Sequence, residues 1–189
     1  MIATNLSPLS AAPGLVTPSA LDPADRFRGR ALRPPRGLYI PQGIPSSVRF
    51  GDRLPPKGGH TVVQRLGLAY EQKVQDVLRE IYGDLFFCNV PILYEDRRGV
   101  HRCIPDGVLR ISSTSIVIIE IKLRHTERAW WQLERLYLPV IRSMIGSEPL
   151  VYRVEICRSY DPDEKFGAHK LVTSLHKLPQ DVGVIQWKI

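Results

Sequence analysis

The stretch of sequence that decides the fold runs from residue 102 to residue 123 and reads RCIPDGVLRISSTSIVIIEIKL. Its second half, residues 115–123, has four consecutive β-branched residues and then alternates, which predicts a central β-strand buried on both faces. Because side chains alternate between the two faces of a strand, Glu120 and Lys122 project from the same face. A buried carboxylate without a partner is costly, so Glu120 must be paired, hydrated or bound to a cation.

A second segment, residues 101–111, is short enough to be the adjoining strand, with residues 112–114 as a tight connection. This hairpin would bring Asp106 beside Glu120. Two carboxylates and an ammonium group suit Mg²⁺, which takes one or two carboxylates, keeps several waters and completes its shell with phosphate oxygens. Lys122 would then orient or help deprotonate an attacking water and offset charge on a phosphoryl transition state.

Pro105 and Asp106 are followed, after thirteen residues, by Glu120, Ile121 and Lys122. This arrangement resembles the PD-(D/E)XK nuclease superfamily, also called restriction-endonuclease-like. The resemblance implies that Asp106 and Glu120 bind the metal ion together with the backbone carbonyl of Ile121, and that Lys122 is catalytic. It also implies a Mg²⁺- or Mn²⁺-dependent deoxyribonuclease, which we expect to act on structured or recombining DNA.

The same residues also have a simpler interpretation. Pro105, Asp106 and Gly107 can form an ordinary turn, and Glu120 and Lys122 can be a solvent-facing pair on a hairpin. The elements on either side of the hairpin must therefore decide between the two interpretations.

Residues 61–82 precede the strands, and their apolar side chains follow the three-four spacing of an amphipathic helix. Thr61 and Gln64 fit a capping box at its start, and Gly83 marks its end. Glu71 lies at the edge of the apolar stripe, where a solvated carboxylate is the alternative to a functional one. Many members of the resembling family carry a glutamate on this helix, so the resemblance implies that Glu71 supports the metal ion and catalysis.

Residues 126–144 predict a second helix, capped by Thr126. Pro139 lies inside it and is expected to kink the helix or to remove one hydrogen bond. The resemblance implies that Gln132, on this helix, assists catalysis. The recombination-exonuclease branch of the family has a Gln-x3-Tyr pattern, whereas four residues separate Gln132 from Tyr137 here.

Residues 150–156 and 182–187 predict two further strands, with a short helix near residues 169–176 between them. The order of elements from residue 61 is therefore α-β-β-β-α-β followed by less regular chain, which is the order of the restriction-endonuclease-like core. We expect an α/β fold with a central mixed sheet flanked by helices, in one nuclease-like domain that spans residues 61–189.

The charge of the chain is unevenly distributed. Lys and Arg number 26 against 19 Asp and Glu, and +5 of the net charge of +7 falls in residues 1–60. These residues also hold ten of the sixteen prolines, which predicts an extended arm. The arm contacts a phosphate backbone, docks on its own domain or on a neighbouring subunit, or is a solvated linker. Its candidate nucleic-acid contacts are Arg26, Arg28, Arg30, Arg33 and Arg36.

Other features of the sequence narrow the class of protein. We expect no signal peptide and no membrane span, because no apolar run is long enough. Cys88, Cys103 and Cys157 contain no Cys-x-x-Cys pair, which disfavours a zinc ribbon, an iron-sulfur site and a disulfide framework. A reducing cytoplasm, in a bacterial or virus-infected cell, is the expected location. Because a small catalytic domain has a small DNA footprint, we also expect a homo-oligomer.

Two other functional classes stay open. One is a catalytically inactive nuclease-fold protein that acts as a nucleic-acid-binding or assembly module through its basic arm. The other is a small α/β structural domain without a cation. RNA also stays open as a substrate, because metal-assisted phosphodiester cleavage does not by itself distinguish the sugars.

Overall fold

The computed structural model describes residues 34–52, 59, 61–161, 170–175, 178–180 and 182–189. Of the five arginines predicted to contact nucleic acid, only Arg36 is among them. It is exposed, and its carbonyl accepts a hydrogen bond from Nη1 of Arg128 at 3.4 Å. The remaining four (Arg26, Arg28, Arg30 and Arg33) lie outside the described residues. None of the helices in the described part is long and apolar enough to cross a membrane.

The described chain contains both strands and helices. The strands are β1 (Ser47–Phe50), β2 (Phe86–Cys88), β3 (Ile92–Asp96), β4 (Gly99–Cys103), β5 (Gly107–Ser112), β6 (Ser115–Arg124), β7 (Leu150–Ser159), β8 (Lys170–Leu171) and β9 (Val182–Gln186). The first helix is α1 (Val62–Tyr82), which a short 3-10 turn, Gly83–Leu85, joins to β2. A second helical stretch consists of α2 (Glu127–Trp130), a π-helical segment (Trp131–Tyr137) and α3 (Leu138–Ile145).

The main sheet has the strand order β2-β5-β6-β7-β9-β8. The β2-β5 and β5-β6 pairs are antiparallel, whereas the β6-β7, β7-β9 and β8-β9 pairs are parallel. This mixed sheet confirms the predicted α/β class. A second sheet, of order β1-β3-β4, is antiparallel throughout.

Helix α1 begins where the sequence predicts. The Thr61 hydroxyl accepts a hydrogen bond from the N–H of Gln64 at 3.3 Å, and the Gln64 side chain accepts one from the N–H of Thr61 at 2.8 Å. Both donors would otherwise lack a partner in the first helical turn. The helix ends at Gly83, whose φ of +53° lies in the region that favours glycine.

Strand β6 is buried on both faces, as its sequence predicts. Val117 packs in the cluster that includes Val74 of α1, whereas Ile118 packs in the cluster formed largely by the second helical stretch. Helices therefore cover the central strand on both sides. Its polar residues, Glu120 and Lys122, lie near its carboxyl end.

Residues 101–111 do not form the single strand that the sequence predicts. β4 ends at Cys103 and pairs with β3, whereas β5 begins at Gly107 and pairs with β6. The break falls at Pro105, because its ring removes the N–H that a continuous strand would need. The backbone therefore passes from one sheet to the other here, and Asp106 lies at the crossing.

The second helical stretch occupies the predicted place, with the Thr126 hydroxyl accepting from the N–H of Ala129 at 3.2 Å. Its irregularity is the π-helical segment Trp131–Tyr137, which ends just before Pro139. A π-helix has i to i+5 hydrogen bonds, so its wider turn takes up extra residues. Pro139 stands in the first turn of α3, where a missing N–H is best tolerated.

The short helix predicted near residues 169–176 is wrong for its described part. Lys170 and Leu171 form β8, because their backbone groups pair with Gly183 and Val184 of β9.

Part of the predicted arm packs on the rest of the chain. Within it, β1 pairs with β3, and Val48 stands opposite Tyr94. Leu38, Ile40 and Val48 pack against the cluster of the second helical stretch. These apolar residues attach residues 38–50 to the chain's own core.

Candidate active site

The candidate site lies where β5 begins and β6 approaches its carboxyl end. Gly107 stands opposite Ile119 in the antiparallel register, which places Asp106 beside Glu120. The Nζ atom of Lys122 lies 3.7 Å from Oδ2 of Asp106, and it also forms an ion pair with Oε1 of Glu120. A single ammonium group therefore contacts both carboxylates, as the hairpin prediction required.

A backbone hydrogen bond from β6 and close packing at the start of β5 fix the position of Asp106. Its Oδ2 atom accepts a hydrogen bond from the N–H of Ile121 at 2.7 Å. The next residue must be small, because a Cβ at Gly107 would lie 2.6 Å from Cε2 of Phe86. Asp106 is therefore oriented toward the strand that carries Glu120, and the Ile121 carbonyl predicted as a metal ligand belongs to the same strand.

Gln75 is a buried residue that the sequence analysis missed. Its Nε2 donates to the Asp106 carbonyl at 2.9 Å and to Oε1 of Glu71 at 3.3 Å. Its Oε1 accepts from Nδ2 of Asn89 at 3.3 Å, and Asn89 has a φ of +50°, a conformation that asparagine tolerates. The signal was its position four residues after Glu71, on the same face of α1.

Glu71 is half-buried and takes part in this network from α1. It lines a groove of about 330 Å³ together with Lys122 and Leu123, between the first half of α1 and the end of β6. The structure therefore brings Glu71 to the same place as Asp106, Glu120 and Lys122.

Gln132 is linked to the site through Tyr137. Its Nε2 donates to the Tyr137 hydroxyl at 3.1 Å, and that hydroxyl donates to the Ile104 carbonyl at 3.1 Å. In the π-helical segment the i to i+5 pattern places both residues on one side, although four residues separate them. The Tyr137 hydroxyl also lies close enough to Glu120 to lower the pKa of that carboxyl.

The acids of the site repel one another in a poorly hydrated place. Burial, and then the neighbouring Asp106, raise the pKa of Glu120 to about 8. The same two causes raise the pKa of Glu71 to about 7, and burial raises that of Asp106. Burial by itself lowers the pKa of Lys122, but Glu120 and Asp106 outweigh it and raise the pKa. Among the described residues, the cluster thus holds more acid groups than the single ammonium of Lys122 neutralises.

Glu120 has an incomplete set of partners. Its side chain is 1% exposed, and within the described chain its Oε2 atom accepts no hydrogen bond of normal geometry. A buried acceptor without a partner is uncommon, and a free carboxylate oxygen is a good ligand for a hard cation. Glu120 therefore has an oxygen available beyond the one that Lys122 contacts.

These donors suit a divalent cation whose coordination is completed by water molecules and phosphate oxygens. In the described residues, no three side chains of His, Cys, Asp and Glu already stand in metal-ligating geometry. Mg²⁺ does not require such a set, because it binds through one or two carboxylates, several waters and phosphate oxygens. Asp106 and Glu120 can supply the two carboxylates, Ile121 a backbone oxygen and Glu71 a water-mediated or second contact.

Glu155 is a second buried polar residue that the sequence analysis missed. It is the in-register neighbour of Glu120 on β7, and its Oε2 lies 2.7 Å from Nδ1 of His125. Its Oε1 accepts from the N–H of Thr126 at 3.1 Å, so both oxygens have partners. Glu155 therefore anchors the start of the helical stretch that carries Tyr137. In the sequence, Glu155 is marked by the same feature as Glu120, because it is an acidic residue within an otherwise apolar strand.

No protein-family model matches this chain, and neither a curated protein nor a solved structure matches it. The restriction-endonuclease-like resemblance therefore depends on the residues and the geometry of the chain itself.

Proposed function

We propose that the protein is a metal-dependent deoxyribonuclease of the PD-(D/E)XK type. The observation that carries the proposal is the meeting of Asp106, Glu120 and Glu71 around one lysine, with the pKa of each acid raised by burial. Perturbed acids gathered in one place are typical of functional sites, because a folding core gains nothing from mutual repulsion.

The order of elements supports the restriction-endonuclease-like core. If the β3-β4 hairpin is taken as an insertion, the main sheet is built in the order α1, β2, β5, β6, second helical stretch, β7. This order is α-β-β-β-α-β, and it brings the motif residues to adjacent antiparallel strands. The division between an arm (residues 1–60) and a nuclease domain (residues 61–189) belongs to the same proposal, as do a homo-oligomer and a cytoplasmic location.

Each residue has a distinct role in the proposed mechanism. Asp106, Glu120 and the Ile121 carbonyl hold Mg²⁺ or Mn²⁺, and Glu71 supports it from α1. When bound, the ion would supply Lewis acidity to the scissile phosphate and to a water molecule. Lys122 orients the attacking water and offsets the negative charge that develops on the phosphoryl group. Gln132 acts on Glu120 through the hydroxyl of Tyr137.

The proposal is tested by changing Asp106 to Asn and Lys122 to Met in the full chain. Each variant should fold but lose at least about 1,000-fold in the rate of Mg²⁺-dependent cleavage, since each removes a group that acts in the transition state. Activity is measured on supercoiled, linear and branched DNA, and Mg²⁺ binding by isothermal titration calorimetry. Asp106→Asn should also weaken Mg²⁺ binding, because it removes a charged ligand.

Matched controls come from α1 and the turn that follows it. Asp84→Asn and Lys73→Met make the same chemical changes at exposed positions and should leave the cleavage rate unchanged. Full activity of Asp106→Asn or of Lys122→Met would refute the proposal. If wild-type protein binds DNA but neither binds Mg²⁺ nor cleaves any substrate, the inactive binding or assembly module is the correct class instead.

A further inference from the structure

A second groove, of about 700 Å³, lies at the carboxyl ends of the parallel strands of the main sheet. Arg124 is the last residue of β6, Arg158 is the last but one of β7, and Lys188 follows β9 by two residues. Three neighbouring strands thus each bring one cation to the same groove. In α/β sheets, the edge where parallel strands end is the usual place for ligands.

The three cations are free to meet a ligand. All are exposed, and within the described part of the chain none of them forms an ion pair with a carboxylate. By contrast, Arg153 on the same strand β7 is buried and contacts Glu134 at 2.9 Å. The unpaired positive charge of these three strands is therefore concentrated at the carboxyl edge.

This groove adjoins the candidate active site. Leu123 lines both this groove and the smaller groove that contains Glu71 and Lys122. Arg124 follows Lys122 by two residues, so it projects from the same strand just beyond the catalytic lysine. A polymer with one phosphate at Lys122 would meet Arg124 next.

We propose that the DNA strand leaves the candidate active site across the ends of β6, β7 and β9, with its phosphates bound by Arg124, Arg158 and Lys188. Neighbouring strands are about 4.8 Å apart, so the three strand ends span about 10 Å. Each strand of B-DNA carries one charge per about 3.4 Å of helix axis, so a span of this length holds about three phosphates of one strand. This inference rests on the proposed nuclease function, because it takes Lys122 as the position of the scissile phosphate.

The test is the salt dependence of DNA binding by a triple variant, Arg124→Gln, Arg158→Gln and Lys188→Gln. Binding of fluorescein-labelled single-stranded and duplex DNA is measured by anisotropy in EDTA, at several KCl concentrations, with the full chain. Loss of about three phosphate contacts should weaken binding at least about 10-fold at 0.1 M salt and reduce the slope of log K against log[salt] by about 2 to 3.

The matched control removes three exposed arginines elsewhere, through Arg49→Gln, Arg97→Gln and Arg110→Gln. Arg49 and Arg97 belong to the β1-β3-β4 region, and Arg110 stands opposite Ile116, near the other end of β6. The control variant has the same net charge as the groove variant and should lose less than about 3-fold in affinity. Exchange of Arg and Lys at the three groove positions keeps the charge and should restore the salt slope.

The outcomes separate this inference from the nuclease proposal. If the groove and control variants weaken binding equally, or if neither does so, the path along the groove is wrong, whether or not the protein cleaves DNA. If wild-type protein does not cleave DNA but binds it in a groove-dependent way, the nuclease proposal fails and the DNA path stands. If an RNA of the same sequence shows the groove dependence and DNA does not, the assignment of DNA to this groove is overturned.

Discussion

Two buried carboxyl groups of this molecule, Asp96 and Glu120, have opposite surroundings. Asp96 ends β3 and accepts hydrogen bonds from the N–H groups of Gln42 and Arg98, each at 2.8 Å, while Nε2 of His101 lies 3.0 Å away. The bond from Gln42 is the main cause that lowers the pKa of Asp96. Glu120 forms its ion pair with Lys122, has one oxygen without a normal hydrogen bond within the described chain, and has a pKa raised to about 8.

Under the proposed function, the difference separates a carboxylate that holds the fold together from one that is kept for a ligand. The donors of Asp96 come from residues 42, 98 and 101, so its charge ties the described part of the arm to the β3-β4 hairpin. Glu120 gains no such set of donors from the described residues, and its burial beside Asp106 makes the charged form unfavourable. Folding alone therefore satisfies the first acid and leaves the second incomplete.

The largest expected effects come from neutralising Glu120 and Asp96 in turn. Glu120→Gln should reduce Mg²⁺-dependent cleavage at least about 1,000-fold, because it removes a metal ligand, yet it should not lower the melting temperature at pH 8. Asp96→Asn should lower the melting temperature by several degrees, because the amide cannot accept from all three donors, and should leave the cleavage rate near wild type. Cleavage assays and circular dichroism melts measure the two effects.

An exposed acid provides the reference for both variants. Glu80→Gln on α1 makes the same change at an exposed position and should alter neither quantity. The distinction between the two acids is untenable if Glu120→Gln unfolds the protein at pH 8 while Asp96→Asn is harmless. It is equally untenable if both variants lose activity to the same degree.

A smaller effect should appear in the pH dependence of stability without metal. Glu71 and Glu120 have folded pKa values of about 7 and about 8 against an ordinary value of 4.5, so between these limits the folded chain binds more protons than the unfolded chain. The free energy of unfolding should therefore fall as pH rises from 4.5 through about 8. Asp96 has the opposite shift, so its contribution is present above the ordinary value of 3.8 and is lost only as pH falls.

Chemical denaturation in EDTA at pH 5 and pH 8 measures this slope, and Mg²⁺ should remove part of it. A cation that binds only the folded chain stabilises it most where the carboxylates are ionised, at pH 8. The Glu71→Gln, Glu120→Gln double variant should have a flatter profile than wild type. A wild-type profile that rises between pH 5 and pH 8, or that the double variant leaves unchanged, would show that these acids do not carry raised pKa values.

Much of the fold and the centre of the site could be predicted from local patterns. The alternation in residues 115–123 identified the central strand, and the Thr61 and Gln64 pair identified the start of α1. Period-two geometry placed Glu120 and Lys122 on one face, and the hairpin placed Asp106 beside them. Each of these inferences uses contacts between residues close in the chain, or on two strands joined by a short turn.

Long-range contacts account for most of what the sequence did not reveal. The hydrogen-bond partner of Gln75, the Asp106 carbonyl, lies 31 residues away in the chain. Asp96 lies three residues before Gly99, in a sequence that predicts only an ordinary surface turn. Pro105 is a local signal for the strand break, because its ring removes an N–H that a continuous strand needs. The π-helical segment was also unpredicted, because the apolar spacing of residues 126–144 fits an ordinary helix.

That segment leads to the smallest of the expected effects. Tyr137→Phe removes the hydroxyl that lowers the pKa of Glu120, so that pKa should rise and Mg²⁺ binding should require a higher pH. We expect a loss of about 10-fold or less in cleavage near pH 7, recovered in part at pH 9, because the ionised ligand then predominates. Calorimetric Mg²⁺ affinity from pH 6 to pH 9 measures the shift, and Tyr82→Phe on α1 is the control. An unshifted profile for Tyr137→Phe would mean that the π-helical pairing of Tyr137 with Gln132 only supports the helix and does not tune the acid beside it.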